Sequence, residues 1–465
     1  MEVSEKIIYI TLSLFCIFVS KLLFEKASGA KIRHLNMINY PFWVLLGISV
    51  IPSIIIFLEF QIFGFDVSGE DFTWGNKTTH FYVLLINLWT IVSIPIGALI
   101  TTMFFGRISN KFGGIELPFF NVPLLSVEEK HRTRVVLCVF LLISFLLIFI
   151  NIQNKQIPLL AAMRGNTDEA LKSYLDVRHG YAFGLGPMNN FINTDTMLFF
   201  LIYSTVLLFR YKNNIDKLIF FWLLQFTLTI GASAISGSTG NLAFSLISLL
   251  VVKVLCTRKW FSLKIAMVFP SLVISFFWFF KSRSIESFTE VSNYFFQRIL
   301  FFQIRGLYFA FDIFPDQHSF IYFNSTAKWA HDLFNSKTVE DYGFILMNKF
   351  DPIGVLAGYG GHFTSVFMTE MWANFGLLGI MIGPIWVGCI ITIVHRLIMK
   401  RKISSFYLAL YCYLTVFGFS YESKFMCYFY PVNILMKVSG IFITYFFAIF
   451  ACSFFNKGRL TLKYI

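Results

Sequence analysis

Charge is what this chain has least of. Asp, Glu, Lys and Arg make up 14% of its 465 residues, against roughly 25% in an average soluble domain. Cysteine pairing is missing as well. The seven cysteines (Cys16, Cys138, Cys256, Cys389, Cys412, Cys427 and Cys452) fall within or beside apolar runs, with no CxxC spacing and none in the longest loop. That argues against a disulfide framework and a zinc site, and leaves them as small buried hydrophobes. There is no HExxH motif, and no loop histidine has metal-ligand spacing to another His or Cys, so a bound metal is not expected. Internal repeats, low-complexity tracts and Pro/Gly/Ser linkers are also missing, so residues 1–465 read as one domain. The hexapeptide Met1-Glu2-Val3-Ser4-Glu5-Lys6 lacks the basic n-region of a secretory signal and no small-residue cleavage site follows. The first apolar run is therefore expected to remain as a transmembrane helix.

What is abundant is apolar surface: 57% hydrophobic residues, 19% aromatic, and a mean hydropathy of +0.70. Eleven apolar runs can be marked, near 7–24, 40–64, 81–105, 135–152, 192–209, 218–235, 242–256, 265–280, 375–395, 404–420 and 431–452. Backbone amides in hydrocarbon must be satisfied within the chain, and runs of this length suit helices rather than the shorter alternating strands of a barrel. The fold expected is an all-α polytopic integral membrane protein with about eleven transmembrane helices. Its partner is then the lipid bilayer, and the formal charge of +13, scattered over short loops, is a topological signal that does not call for nucleic acid.

Lys and Arg in the connections give the orientation. The loops 21–39, 106–134, 210–217, 257–264, 395–402 and the tail 456–465 hold 22 basic residues against 5 acidic. The segments 1–6, 65–80, 153–191, 281–374 and 421–430 hold 14 basic against 18 acidic. The first set reads as cytoplasmic, with the N-terminus outside and the C-terminus cytoplasmic. An even-numbered layout with a re-entrant segment in the long loop is the alternative.

Two external loops break the charge rule. The loop 153–191 carries Lys155, Arg164, Lys172, Arg178 and His179, and the long loop 281–374 carries Lys281, Arg283, Arg298, Arg305, Lys328, Lys337 and Lys349. Guanidinium groups at an outer leaflet match phosphate or pyrophosphate oxygens with paired donors. The plainer alternative pairs them with Asp168, Asp176, Glu286 or Asp312 on a solvated face. Arg164, Arg178, Arg298 and Arg305 stand out because each lies in strongly apolar or glycine-rich text, where a charge lacks an obvious partner. In 294–314, Tyr294, Arg298, Arg305 and Asp312 recur at spacings of four and seven, the pattern of an amphipathic surface helix with Arg298 and Arg305 on one face toward a lipid headgroup.

Of the loop histidines His318, His331 and His362, only His362 follows a flexible approach, Gly358-Tyr359-Gly360-Gly361, and precedes a helix-like run with Glu370 eight residues on. Histidine serves as a general base near neutral pH. A carboxylate such as Glu370 at membrane depth is costly unless it is paired or functional. The turn Ser236-Gly237-Ser238-Thr239-Gly240-Asn241 reads as a tight helical hairpin or as a polar lip of the same external cavity. Glu59 reads as a charge deep in a span.

The long loop ends in Gly360-Gly361-His362-Phe363-Thr364-Ser365-Val366-Phe367-Met368-Thr369-Glu370-Met371-Trp372-Ala373-Asn374-Phe375-Gly376-Leu377-Leu378-Gly379. This His…Glu…GxxG run into a helix, together with many spans, two arginine-bearing external loops and the larger loop in the C-terminal half, resembles the Wzy-type O-antigen polymerases, relatives of the O-antigen ligases. At the 236–241 turn, Thr239 and Gly240 stand where the family often has the arginine of a "GSR" turn. The resemblance implies a GT-C-like architecture and a glycosyltransferase active on the periplasmic side of a bacterial inner membrane. It implies transfer of a glycan from undecaprenyl pyrophosphate to the sugar hydroxyl of another lipid-linked repeat unit, without metal or nucleotide, with a chain-length regulator protein as a further partner. His362 and Glu370 would then be catalytic, and Arg164, Arg178, Arg298 and Arg305 would bind pyrophosphate. An O-antigen ligase and a flippase or other transporter remain as alternatives. Transporters usually show internal repeats and helices broken at the midplane, and no repeat is detectable here.

Overall fold

The computed structural model describes residues 3–59, 77–106, 127–154, 196–211, 215–235, 239–257, 301–325, 341–356, 363, 365–400, 404–418, 425–429, 435 and 438–450. In chain order the principal helices are α1 (Val3–Ser28), α2 (Tyr40–Phe57), α3 (Lys77–Phe105), α4 (Val127–Asn154), α5 (Met197–Arg210), α6 (Ile215–Ile235), α7 (Thr239–Thr257), α8 (Phe302–Ile313), α9 (Tyr342–Phe350), α10 (Phe367–Met399), α11 (Ser405–Tyr413) and α12 (Val438–Phe450). No strand occurs among the described residues.

Helix occupies every apolar run marked in the sequence except 265–280, which lies outside the described residues. Five of these helices are long and apolar enough to cross a membrane: Ser4–Ser28, Tyr40–Phe57, Lys77–Phe105, Arg132–Phe149 and Phe367–Met399. Eighteen residues at the α-helical rise extend roughly 27 Å, close to the thickness of a hydrocarbon core. Shorter apolar helices lie at Met197–Arg210, Leu218–Ala232, Ser245–Thr257, Ser405–Val416 and Val438–Phe450. Ile7, Ile8, Leu14, Phe15 and Phe18 of α1 and Met103, Phe104 and Phe105 of α3 point outward, as a lipid-facing surface requires.

The helices form two compact units. The first comprises Met1–Ile115, Ser292–Lys400 and Phe419–Pro431. Its hub is α3, which packs against α1, α2, α8 and α10. Without a hydrophobic drive between helices in lipid, small residues and interhelical hydrogen bonds bring them together, and both are present. Ser20 Oγ donates to the Ile91 carbonyl at 2.7 Å, Ser49 bonds Asn87, and Trp89 Nε1 donates to the Ile380 carbonyl at 3.1 Å. Gly97 and Gly388 let the backbones of α3 and α10 meet directly. At one end of this pair, Arg396 of α10 donates to the carbonyls of Phe105 and Gly106, satisfying acceptors that the end of α3 leaves open. In α2 a π-turn at Leu46–Val50 precedes Pro52, whose missing N–H interrupts the helical ladder.

The second unit comprises Glu116–Val291, Arg401–Gly418 and Val432–Ile465. Its hub is α5, buried at every position from Met197 to Leu207, the all-round pattern of an interior helix. Several polar groups inside it are paired: Gln225 Nε2 donates to Ser144 Oγ at 3.0 Å, Trp222 Nε1 to Thr205 Oγ1 at 2.8 Å, and Arg210 to Ser405 Oγ at 3.0 Å.

Two expectations change. Glu59 is not deep in a span: helix α2 ends at Phe57, and Glu59 turns out of it with φ 55 and is exposed. The last long span also begins earlier than its apolar run. Helix α10 starts at Phe367, eight residues before the apolar text, and is broken at Gly376, where φ is 55 and ψ −135.

Candidate functional site

Within the first unit, the part of the long loop that is described folds onto the start of α10. Helix α8 ends where Phe314, preceding Pro315, is forced out of the helical region to φ −107 and ψ 130. Helix α9 begins at Asp341, whose carboxylate accepts from the Gly343 N–H at 2.8 Å. Ile304, Gly306, Leu307, Tyr308, Ala310 and Ile313 bury one side of α8. Residues 302–313 of the expected amphipathic segment are thus helical, and their apolar side chains pack on protein.

Arg305 lies on another side of α8, and its guanidinium is surrounded by phenylalanines. The Cζ atom is 4.3 Å from the ring centroid of Phe350, 5.2 Å from Phe309 and 5.5 Å from Phe302. Each such contact contributes about 0.5–2 kcal/mol, more where water is excluded. The same three rings hold Phe363: centroids are 5.3 Å from Phe350, 5.9 Å from Phe309 and 6.2 Å from Phe302. Phe363 is the residue after His362.

The chain from 363 to 366 is then clamped at both ends. The Phe363 N–H donates to the Gly343 carbonyl and the Val366 N–H to the Gln303 carbonyl, each at 3.0 Å. Ser365 Oγ also reaches the Gln303 carbonyl at 2.9 Å and bonds the Thr369 hydroxyl at 2.7 Å. Gly306 makes this approach possible, because a Cβ there would sit 2.5 Å from Ser365 Cβ and Oγ. The buried Gln303 Oε1 has no hydrogen-bond partner among the described residues. An unsatisfied buried acceptor is costly, so Gln303 is a candidate to receive a ligand hydroxyl or N–H.

Glu370 follows the clamp in the first turn of α10 and is 1% exposed. An anion is favoured at that end of a helix dipole. Asn374 Nδ2 donates to its backbone carbonyl at 2.8 Å. Beyond it, Trp372 Nε1 bonds the Phe314 carbonyl at 3.2 Å and the Ile321 N–H bonds the Ala373 carbonyl at 3.0 Å. The break at Gly376 then redirects the chain. A Cβ on Gly376 would meet the Phe320 ring at 2.7 Å, and one on Gly379 the Met371 carbonyl at 2.4 Å. The GxxG pair is thus a hinge between a short polar-ended segment and a long apolar span.

A further polar group, which the sequence did not assemble, gathers along α8 at Tyr308 and Asp312. The His80 ring, in the first turn of α3, stands edge-on to Tyr308 at 5.3 Å. One turn on from Tyr308, burial pushes the Asp312 carboxyl above the usual carboxylate range, while Lys349 and His80 pull it part of the way back. Gln317 Nε2 donates to the Asp312 backbone carbonyl at 2.9 Å, and Lys349 Nζ donates to Gln317 Oε1 at 3.3 Å. Nothing in the spacing around His80 could have announced this, because its neighbours come from another part of the chain.

Of the residues picked out from sequence, Arg305 and Glu370 are thus placed on two segments joined through Gln303, Gly306, Ser365 and Val366. Arg164, Arg178, Arg298 and His362 lie outside the described residues. Among the described residues, no three His, Cys, Asp or Glu side chains converge as a metal site would need. Compared with family models, with curated proteins and with solved structures, the chain matches none of them.

Proposed function

We propose that this chain is a membrane glycosyltransferase that joins lipid-linked oligosaccharide repeat units, as in O-antigen or a similar surface polysaccharide, at the periplasmic face of a bacterial inner membrane. The observation that carries the reading is that Phe363, next in sequence to His362, packs on the same three rings that surround Arg305. Arg305 and Phe363, far apart in the chain, thereby meet on one set of rings.

In this reading Arg305, with Arg164, Arg178 and Arg298, takes up the charge of an undecaprenyl diphosphate. The acceptor hydroxyl attacks the sugar's anomeric carbon as the bond to the diphosphate oxygen breaks. The hydroxyl proton passes to His362, the bonding pair leaves with undecaprenyl pyrophosphate, and Glu370 holds the histidine. Diphosphate is already a good leaving group, so the protein's work is charge stabilisation and alignment. A chain-length regulator protein is the expected macromolecular partner.

Deleting the gene in the source strain and complementing with wild type, Arg305→Ala or His362→Ala tests the proposal on a lipopolysaccharide gel. Wild type restores the long ladder, and each variant, at equal protein level, leaves single-repeat material. A normal ladder in the deletion strain removes the reading. Full-length polymer held on the lipid carrier would assign the chain to ligation instead.

A further inference from the structure

We infer that Tyr82, Phe311 and Trp372, rimmed by His80, Asp312 and Gln317, form a carbohydrate-binding shelf where the start of α3 meets the end of α8. The three rings make a row. Tyr82 and Phe311 are 6.2 Å apart with planes 9° off parallel, and Phe311 and Trp372 are 4.0 Å apart at 24°. Tyr82 is 50% exposed, and Trp372 is fixed by its bond to the Phe314 carbonyl. Phe311 has its faces turned to its two neighbours in the stack, so the open face is that of Tyr82, and such an electron-rich face suits the C–H face of a pyranose ring.

The rim selects a neutral polyol over a phosphate. A carboxylate, an imidazole, a carboxamide and the Lys349 ammonium lie together there. They offer donors and acceptors side by side with the charges offsetting one another, which is what sugar hydroxyls need and what a diphosphate does not. An aromatic belt meant only for lipid headgroups would require none of them. Position adds a further argument, resting on the proposed function above. Arg305 and Asp312 are seven residues apart on one stripe of α8, roughly 10 Å along the axis. A donor whose diphosphate sits at Arg305 can therefore lay its sugars along α8 onto the shelf, which would select among repeat units.

The test uses the full chain in nanodiscs, labelled with 5-fluorotryptophan, with the Trp372 resonance assigned by Trp372→Phe. The probe is the water-soluble oligosaccharide pool released by mild acid from the lipid-linked glycans of the source strain. The Trp372 signal is expected to shift saturably, with apparent affinity weakened at least tenfold in Tyr82→Ala and in Asp312→Asn. No shift with the oligosaccharides overturns the shelf, as does a shift that survives both substitutions. A shift produced by inorganic pyrophosphate but not by oligosaccharide assigns the cluster to phosphate, and one that follows only the phospholipid composition of the nanodisc assigns it to the bilayer. The two proposals fail separately. A normal ladder in the deletion strain alongside a saturable Trp372 shift sinks the polymerase and keeps the shelf. A collapsed ladder alongside a silent Trp372 does the reverse.

Discussion

Replacing Gly388 by alanine puts a methyl group where the fold has a carbonyl. A Cβ at Gly388 would stand 2.0 Å from the Ile94 oxygen and 3.1 Å from the Ala98 nitrogen, and its counterpart on Gly97 would stand 1.9 Å from the Ile385 oxygen. Backbone atoms cannot swing aside as the end of a side chain can. To reach 3.4 Å, where ordinary contact begins, α3 and α10 would have to part by about 1.4 Å along that line. The separation also strains the 3.3 Å contact of Cys389 Sγ with the Gly97 carbonyl and thins the dispersion contacts on both sides. Overpacking of this kind costs about 1–3 kcal/mol. Because one separation relieves both methyl groups, Gly97→Ala with Gly388→Ala is expected to cost less than the two single changes added, by on the order of 1 kcal/mol. Gly231→Ala in α6 is the control: nothing lies within 4 Å of its Cβ position, and a glycine-to-alanine change inside a helix gains about 0.5–1 kcal/mol. Equilibrium unfolding of the purified protein by SDS in mixed micelles, followed by tryptophan fluorescence, gives all four values. A Gly388→Ala protein as stable as wild type, or strict additivity in the double variant, would refute the reasoning.

Two more outcomes follow from the same structure. Gly376→Ala places a side chain on a backbone at φ 55 and ψ −135 and drives its Cβ against the Phe320 ring. It should cost about 1–3 kcal/mol from the backbone alone, and adding Phe320→Ala should recover only the part due to the ring. Full recovery in the same SDS titration would mean the backbone there is unstrained. Asp312 gives a pH signature. Its carboxyl is raised by burial, with Lys349 and His80 opposing, so its contribution to stability is complete below the ordinary carboxylate value and is lost as pH rises through the raised one. Relative to wild type, Asp312→Asn should therefore gain thermal stability from below about pH 4 toward neutrality, whereas parallel melting curves across that range would show that burial does not govern the group.

The helices were legible because hydrocarbon leaves the backbone few choices: a long apolar run must satisfy its own amides, and α1, α3 and α10 do so. Glu370 and the Gly376 pair could also be picked out in the sequence, since a carboxylate and two glycines beside an apolar span are out of character there. The start of α10 was not, because its first turn is held by Ser365, Thr369 and the Gln303 carbonyl, which hydropathy does not register. Glu59 misled for a related reason: the apolar text runs past the point where the backbone turns at Leu58 and Glu59.

What the amino-acid order determined by itself was therefore local: which segments are helical, how polar their ends are, and where backbone freedom is needed. Tertiary structure alone decided which of these meet. Arg305 is placed among Phe302, Phe309 and Phe350, with Phe363 on the same rings, and His80 is brought to Tyr308 from more than two hundred residues away in the chain. Contacts between distant segments depend on the shapes and hydrogen bonds of whole helices packed together, and no spacing within one stretch of sequence encodes them.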